Sequence, residues 1–257
     1  MTEPSPFRLD GMSALVTGAG GGIGRALVEA FRTAGATVSG TDRTADALDG
    51  LGLAHALVTD LEDMAAAEAA VRQHLAVAGI PDIVVSNAGF TRAERLEDVD
   101  IGVWQSELAI NLNGAYAFTA PIVEAMSERG SGCLIFISSL NGVMHYGNPA
   151  YAAAKAGLIA YAKAIAVERG SRGVRANVIC PGSVRTPAWN HRFEGDPGLM
   201  DKVLPHYPLG RLVTPLEVAN TAVFLASPAA AGITGASIAV DAGLSAGNLR
   251  FVDEVLR

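Results

Sequence analysis

The chain has little cysteine and no cluster of basic residues, and each absence excludes a class of protein. Its two cysteines, Cys133 and Cys180, lie in apolar segments without metal-ligand spacing. We therefore predict small buried thiols in a reducing cytoplasm, and no metal site. The net charge is −7 and no run of Lys or Arg is present, which argues against nucleic acid and anionic membranes as partners.

Long hydrophobic segments are also missing. The apolar runs are shorter than the roughly 20 residues that a membrane-spanning helix needs. Residues 1–7 lack the basic start and apolar core of a secretory signal. We expect a cytoplasmic protein that is not associated with a membrane.

The chain does contain a regular alternation of short apolar segments and longer amphipathic segments. Half of its 257 residues are hydrophobic and 18% are charged, which predicts a large buried core. Strands that alternate with helices form right-handed βαβ units, so we predict one α/β domain with a doubly wound, seven-stranded parallel sheet and helices on both faces. The predicted strands are Ser13–Thr17, Ala36–Thr41, Ala54–Thr59, Ile83–Ser86, Cys133–Ser138, Arg175–Ile179 and Ser237–Val240. The predicted helices are Gly22–Thr33, Glu62–Ala78, Val103–Arg129, Pro149–Arg169 and Pro215–Ala226.

A glycine-rich turn, Thr17–Gly24, follows the first predicted strand and opens the first helix. Glycine lets the backbone approach a pyrophosphate closely, and the start of the helix offers free N–H groups and a positive dipole to that anion. The spacing is TGxxxGxG, because Ile23 stands where the GxGxxG fingerprint has its last glycine. An ordinary glycine-rich turn is the alternative. The predicted dinucleotide contacts are Gly18, Gly20, Gly22 and Ile23.

Acidic and amide side chains end the next three predicted strands. Asp42 lies 20 residues after Gly22, where a carboxylate accepts hydrogen bonds from the adenosine ribose of NAD and repels the 2′-phosphate of NADP. The neighbouring Arg43 could serve such a phosphate, yet we predict NAD as the cofactor. Asp60 and Asn87 lie where ligands of doubly wound sheets gather. The alternatives are a cap or turn role for Asp42, a helix N-cap for Asp60 and a turn role for Asn87.

Tyr151 and Lys155 lie four residues apart in an alanine-rich stretch, which places the phenol and the ammonium on one helix face. A neighbouring cation favours the phenolate and lowers the pKa of a tyrosine from its usual value of about 10. Tyr151 is therefore a candidate proton-transfer residue, although such pairs are common by chance. Ser138 and Ser139 follow the fifth predicted strand, and a hydroxyl there would face the same crevice.

Together these motifs resemble the short-chain dehydrogenase/reductase family over nearly the whole chain, with similarity to its sugar and polyol dehydrogenases and its 3-oxoacyl-carrier-protein reductases. The chain departs from the family pattern at Ser86, where the family usually has asparagine, and at Ala242, where it commonly has glycine. The segments that carry the resemblance are Thr17–Gly24, Asp60, Ser86–Gly89, Asn111 within Ile110–Gly114, Ser139 with Tyr151 and Lys155, Asn177 with Pro181–Thr186, Pro208–Arg211, Pro215–Ala219, Phe224–Ser227 and Ile233–Gly235.

The resemblance implies hydride transfer between a nicotinamide and a carbonyl or alcohol carbon. Tyr151 would be the general acid or base. Lys155 would lower the Tyr151 pKa and hold the nicotinamide ribose, and Asn111 would hold a water on a proton path from Lys155. The family's serine-to-tyrosine spacing selects Ser138 and its SxxG motif selects Ser139; since successive strand residues face opposite ways, we predict Ser139 as the residue that orients the substrate oxygen. Further cofactor contacts are implied at Leu61, Ala88, Gly89, Pro181, Gly182, Val184 and Thr186.

The resemblance also implies one domain over residues 1–257. Its dinucleotide-binding half would cover about 11–110 and its catalytic and substrate half about 111–257, with a proline-rich substrate loop at about 183–208. The chain is idiosyncratic in Phe90–Arg95, Asn141–Asn148 and Trp189–Phe193, where we expect specificity to reside. The predicted substrate contacts are Ser139, Asn141, His145, Tyr151, Trp189 and Arg192.

These polar loops favour a polyhydroxylated substrate, with Trp189 stacking on its apolar face, so a sugar or sugar-alcohol dehydrogenase is the first hypothesis. A 3-oxoacyl thioester reductase is the alternative. Asp42 argues against it, because such reductases generally use NADPH. The third hypothesis is a nucleotide-binding regulator that kept the fold without turnover.

Assembly is implied by the resemblance as well. The helices predicted at Val103–Arg129 and Pro149–Arg169 are the pair that the family uses as a four-helix dimer interface, commonly within a tetramer. We therefore expect a homotetramer. The apolar tail Asn248–Arg257 is expected to dock on its own or a neighbouring subunit, although terminal residues often fray.

Overall fold

Seven parallel strands form one sheet at the centre of the protein, and this confirms the predicted fold class. The computed structural model describes residues 5–187, 189, 195–196 and 198–256. The strand order is β3-β2-β1-β4-β5-β6-β7, so the direction of winding reverses between β1 and β4. The strands are β1 Ser13–Thr17, β2 Thr37–Asp42, β3 Ala56–Val58, β4 Ile83–Ser86, β5 Gly132–Ile137, β6 Val174–Pro181 and β7 Ser237–Val240.

Helices cover both faces of this sheet. The predicted bounds are confirmed for the helices Gly22–Thr33, Pro149–Arg169 and Pro215–Ala226. The helix Met64–Ala78 begins two residues later than predicted, because the Asp63 side chain accepts from the N–H groups of Ala65 and Ala66 and caps it. The helices are α1 Gly22–Thr33, α2 Ala45–Leu48, α3 Met64–Ala78, α4 Ile101–Leu108, α5 Gly114–Arg129, α6 Pro149–Arg169, α7 Leu199–Val203, α8 Pro215–Ala226 and α9 Leu249–Val255.

One predicted helix, Val103–Arg129, is wrong as a single element. A π-helical turn, Ala109–Asn113, separates α4 from α5, and Asn111 lies inside it. The Asn111 side chain donates to the carbonyl of Glu107, four residues earlier, so it replaces a main-chain donor of a regular helix. Inserted turns of this kind are common at functional sites.

Alternate residues of the central strands point into two separate cores. In β5, Cys133, Ile135 and Ile137 join the core beneath α1 and α8, while Leu134 and Phe136 join the core beneath α3, α5 and α6. Both cysteines are buried and free, as predicted. Each large apolar side chain buried in this way stabilises the fold by about 1.5–3 kcal/mol. Coverage on both faces explains why β4 and β5 are continuous apolar runs rather than alternating patterns.

Two apolar segments, helix α6 and the tail helix α9, bear on the membrane and docking predictions. Helix α6, extended through its following turn to Arg172, is long and apolar enough by length and composition to cross a membrane, although the sequence prediction excluded such a segment. Leu158, Ala162 and Ile165 of α6 are nevertheless buried in the core, as in core helices of water-soluble proteins. Helix α9 leaves its apolar side chains Phe251 and Val252 about half exposed, so the tail does not bury them on its own chain.

Candidate active site

A cleft of about 700 Å³ opens at the carboxyl ends of the strands, on both sides of the point where the winding reverses. Doubly wound sheets bind their ligands at this position. Every residue predicted to bind the cofactor lines the cleft. These are Gly18, Gly20, Gly22, Ile23, Asp42, Arg43, Asp60, Leu61, Asn87, Ala88, Gly89, Tyr151, Lys155, Pro181, Gly182, Val184 and Thr186.

The glycine-rich turn after β1 is shaped to receive an anion. Gly18 has a φ of +63°, and a Cβ there would stand 2.9 Å from the Cα of Ala88. A Cβ on Gly24 would collide with the carbonyl of Gly18. Gly21 is the N-cap of α1 and offers no capping side chain, so the first N–H groups of the helix remain available to a phosphate.

Asp42 holds its carboxylate at the end of β2, beside this turn. One oxygen accepts from the Gly20 N–H (3.0 Å) and the other from the Arg43 N–H (2.8 Å). Each carboxylate oxygen has a second acceptor position, so the group can still take hydroxyl donors from the cleft. The glycine-rich turn, the Asp42 carboxylate and the volume of the cleft together fit a dinucleotide. Gly18, Asp42 and Lys155 are the residues placed to hold it.

Asp60 and Asn87 support the backbone of the cleft. An Asp60 oxygen accepts from the Glu62 N–H (2.9 Å) and holds the turn before α3, whose N-cap is Asp63 rather than Asp60. The Asn87 amide donates to the carbonyls of Thr17 (2.9 Å) and Gly18 (3.1 Å). Asn87 therefore joins the ends of β1 and β4 and fixes the turn that Gly18 begins.

Lys155 is a buried cation at the floor of the cleft. The side chain is 2% exposed, and its Nζ donates to the Ile137 carbonyl at 3.0 Å. Burial lowers the pKa of Lys155 to about 8. A Cβ on Gly89 would stand 2.9 Å from Lys155 Nζ and 2.7 Å from Asn111 Oδ1, so the glycine leaves room for both groups.

Asn111 is fixed against the segment that follows β4. Its Oδ1 accepts from the Phe90 N–H (3.1 Å), and its Nδ2 donates to the carbonyls of Phe90 (2.6 Å) and Glu107 (2.9 Å). The amide is fully buried. The water path implied for Asn111 stays a prediction.

The expected acidification of Tyr151 by Lys155 is wrong for this structure. Burial raises the pKa of Tyr151 to about 12; a hydrogen bond with Ser139 lowers it, and the nearby Glu107 and Cys180 raise it. Lys155 Nζ lies 5.4 Å from the centre of the tyrosine ring and turns toward the Ile137 carbonyl. The ammonium therefore lies over the Tyr151 ring and donates its hydrogen bond to β5.

The two serines after β5 point to different places. The Ser139 hydroxyl accepts from the Asn141 N–H (3.1 Å) and lies close enough to Tyr151 to lower the pKa of its phenol. The Ser138 hydroxyl is buried and donates to the Lys155 carbonyl (2.8 Å), which attaches α6 to the strand end. Ser139 is thus the serine placed to share a substrate oxygen with Tyr151.

Only part of the predicted substrate set lines the cleft. Trp189 lines it together with Ser139 and Tyr151. His145 is exposed and does not line the cleft. The Asn141 amide donates to the Gly147 carbonyl (2.9 Å), so Asn141 stabilises its own loop. Arg192 lies outside the described residues.

Several cleft residues were not singled out from the sequence. Glu62 lies two residues beyond Asp60, and the same strand-end argument could have found it. It accepts from Arg92 (3.3 Å), whose guanidinium also stacks 5.2 Å above the centre of the Phe90 ring. The idiosyncratic segment Phe90–Arg95 therefore does reach the cleft. The other residues missed are Thr41, Thr59, Ile110 and Ile137.

Known proteins resemble both the sequence and this geometry. Residues 18–245 match a family model described as enoyl-(acyl carrier protein) reductase. The crystal structure of a short-chain dehydrogenase/reductase oxidoreductase from Burkholderia thailandensis superposes with a TM-score of 0.87 at 42% identity, covering 95% of this chain and 97% of the other. The chain belongs to the short-chain dehydrogenase/reductase family. It is therefore an oxidoreductase of the class that binds a nicotinamide cofactor.

Relatives of this short-chain dehydrogenase/reductase are named for different substrates. D-threitol dehydrogenase of Mycolicibacterium smegmatis is 37% identical, covering 92% of this chain and 94% of that protein. Galactitol 2-dehydrogenase (L-tagatose-forming) of Cereibacter sphaeroides is 37% identical, covering 92% and 96%. The 3-oxoacyl-(acyl-carrier-protein) reductase FabG of Escherichia coli is also 37% identical, covering 93% and 99%. A gluconate 5-dehydrogenase from Burkholderia cenocepacia, solved with NADP and tartrate, has a TM-score of 0.87 at 30% identity over 94% of this chain and 98% of that chain.

The serine geometry yields a first prediction. Ser139→Ala should lower kcat by about 100-fold or more, because the substrate oxygen loses a hydrogen bond beside Tyr151. Ser138→Ala should keep most of its turnover and lose about 1 kcal/mol of stability, because one hydrogen bond to α6 disappears. Steady-state kinetics and thermal unfolding of the two variants, measured side by side, test this; equal losses of turnover would contradict it.

Proposed function

We propose that this enzyme transfers a hydride between NAD(H) and a secondary alcohol or carbonyl carbon of a sugar or sugar alcohol. The observation that carries the proposal is the meeting, in one cleft, of the carboxylate of Asp42 with the proton-transfer group of Tyr151. The names of the threitol and galactitol dehydrogenases support a polyol.

Tyr151, Ser139 and Lys155 each have a separate role in this reaction. The bound nicotinamide supplies the hydride acceptor for oxidation and the donor for reduction. Tyr151 takes the hydroxyl proton of the alcohol in oxidation and returns it in reduction. Ser139 holds the same oxygen by a hydrogen bond. Lys155 holds its ammonium at the floor of the cleft, where it can bind the ribose that carries the nicotinamide.

A 3-oxoacyl thioester reductase is the second candidate, because FabG of Escherichia coli is as similar to this chain as the polyol dehydrogenases. The same Ser139, Tyr151 and Lys155 would serve that reaction. Asp42 favours the first candidate, since a carboxylate opposes the extra phosphate of NADPH. A regulator without turnover would have no need for a serine held against Tyr151.

The substrate proposal is tested by following NADH formation with a panel of sugars, polyols, sugar acids and 3-hydroxyacyl compounds. We expect polyols or sugars to give the highest kcat/KM. Tyr151→Phe should reduce turnover at least 1,000-fold, roughly the upper part of the range for general acid–base catalysis, while cofactor still binds and quenches protein fluorescence. A preference for the 3-hydroxyacyl compounds would support the second candidate, and full activity of Tyr151→Phe would remove the proton-transfer role.

Cofactor choice is a separate prediction. Asp42→Ser removes the negative charge and keeps an oxygen that can accept from Gly20. We expect the ratio of kcat/KM for NADP to that for NAD to rise about tenfold or more, which corresponds to roughly 1.4 kcal/mol. Asp46→Ser, an exposed change in the adjacent helix α2, is the matched control. Arg43 and the NADP found in the gluconate 5-dehydrogenase structure favour the opposite outcome, in which the wild-type enzyme already prefers NADP.

We also propose that the enzyme is a homotetramer that assembles through α5 and α6. A groove of about 980 Å³ runs along these helices and α3, and Tyr116 (51% exposed) and Val167 (82% exposed) present apolar surface on α5 and α6. Light scattering should give a mass of four chains of 26.4 kDa. Val167→Glu should reduce this mass, whereas Val58→Glu on the edge strand β3 should leave it unchanged; a monomeric wild type would refute the proposal.

A further inference from the structure

Asn148 stands at the start of the helix that carries Tyr151, but its side chain does not cap that helix. It is the N-cap of α6, three residues before Tyr151. An asparagine at this position usually accepts a hydrogen bond from the first turn of its own helix. Within the described residues the Asn148 side chain makes no such bond. The partners of its amide lie in another part of the chain.

Every donor of Asn148 is directed to the segment Thr91–Glu94, which follows β4. Its Nδ2 donates to the Thr91 hydroxyl (3.1 Å) and to the Ala93 carbonyl (3.0 Å). Its main-chain N–H donates to the Glu94 carbonyl (2.8 Å). An asparagine has only these three N–H donors, so its full capacity holds the start of α6 against this segment. Ala93 is 7% exposed, which places the contact against a buried residue.

The backbone adopts an uncommon conformation to make this contact. Asn148 has a φ of +52° and Gly147 a φ of +89°. Asparagine is among the few residues with a side chain that visit this left-handed region. A Cβ on Gly147 would stand 2.9 Å from the Glu94 carbonyl oxygen. Two successive left-handed residues therefore bring the chain up to Glu94 before α6 begins, and the hydrogen bonds of Asn148 offset the strain.

The segment that Asn148 contacts forms one wall of the cleft. Phe90 and Arg92, on either side of Thr91, line the cleft. The Thr91 hydroxyl, which accepts from Asn148, donates to Glu107 of α4 (3.1 Å). Asn148 thus connects the start of α6 with this wall and, through Thr91, with α4.

The loop after Ser139 meets the same turn from the other side. The Asn141 N–H donates to the Ser139 hydroxyl (3.1 Å). The Asn141 Nδ2 donates to the Gly147 carbonyl (2.9 Å) and lies 3.5 Å from Asn148 Oδ1. A continuous chain of contacts therefore runs from Ser139 through Asn141 to Asn148 and α6. The position of Tyr151 relative to Ser139 depends on where Asn148 holds the start of that helix.

We propose that Asn148 is a positioning residue of this enzyme, which fixes the start of α6 against the segment Thr91–Glu94 and so sets the placement of Tyr151 relative to Ser139. The substrate oxygen must meet both hydroxyls at once, and a displacement of about 1 Å can lower a rate by about 100-fold. The inference rests on the proposed roles of Tyr151 and Ser139, but not on the identity of the substrate.

Asn148→Gly tests the proposal, because glycine adopts a positive φ without strain and the variant should fold. The main-chain N–H is kept and only the amide is lost. We expect kcat for alcohol oxidation to fall by about tenfold or more, while the Kd for NADH, measured by quenching of protein fluorescence, stays unchanged. The primary isotope effect on kcat, measured with an alcohol deuterated at the reacting carbon, should be at least that of the wild type, because hydride transfer is the step that is slowed.

Asn248→Gly is the matched control. Asn248 is the N-cap of α9, and its side chain caps that helix by accepting from the Phe251 N–H (3.1 Å). The control therefore loses an asparagine from a helix start without touching the cleft. Its kcat should equal that of the wild type.

Two substitutions of Thr91 test the partner of the Asn148 amide. Thr91→Val removes the hydroxyl that accepts from Asn148 and should lower kcat. Thr91→Ser keeps a hydroxyl and should recover most of the kcat that Thr91→Val loses. A role in folding alone would not predict this recovery at constant NADH affinity.

The proposal is overturned if Asn148→Gly keeps the kcat of the wild type, if its NADH binding weakens as much as its kcat falls, or if Thr91→Ser loses as much kcat as Thr91→Val. An isotope effect below that of the wild type would also overturn it, because a step other than hydride transfer would then be slowed. The measurement uses whichever alcohol of the panel is oxidised, so failure of the polyol hypothesis does not affect it. Failure of the proton-transfer role is seen separately, as retained activity of Tyr151→Phe.

Discussion

The buried ammonium of Lys155 governs the arrangement of the elements around it. A charged group that is 2% exposed destabilises the fold unless polar atoms surround it. The end of β5 supplies the Ile137 carbonyl to the ammonium and, through Ser138, holds the Lys155 carbonyl of α6. Gly89 leaves the space that the ammonium occupies. Burial already lowers the pKa of Lys155 to about 8. Displacement of any of these groups would therefore favour loss of the ammonium proton near neutral pH.

The position of Lys155 also explains why Tyr151 is not acidified. Its ammonium lies over the face of the ring, 5.4 Å from the ring centre, where a cation interacts with the ring quadrupole. Burial therefore raises the pKa of Tyr151, and the neighbouring Ser139 lowers it by less than burial raises it. The proton on Tyr151 is therefore stable in this arrangement.

Local signals explain which features were predictable from the sequence. Helix α8 begins at a capping box between Thr214 and Glu217, and its predicted bounds are confirmed. The lining of the cleft by the predicted cofactor residues follows from one rule, that the ends of parallel strands meet at one edge of the sheet. The π-helical turn at Asn111 was not predictable, because it depends on contacts with Phe90, which is distant in sequence. The pKa of Tyr151 was predicted in the wrong direction, because it depends on the tertiary packing around this residue and Lys155.

The two ends of the cleft are built differently. The residues at one end determine the class of reaction, and those at the other end determine which substrate is accepted. The groups assigned to proton transfer lie at strand ends and on α6. Two hydrogen bonds join Lys155 to the end of β5: its ammonium donates to the Ile137 carbonyl, and its own carbonyl accepts from the Ser138 hydroxyl. The other end of the cleft is formed by the segment after β4 and by Trp189. Loops tolerate sequence change because they carry little of the core, whereas a shift at a buried strand end disturbs close packing. A polyol dehydrogenase and a thioester reductase can therefore share the same Ser139, Tyr151 and Lys155, and the loop side chains that meet the rest of the substrate must decide between them.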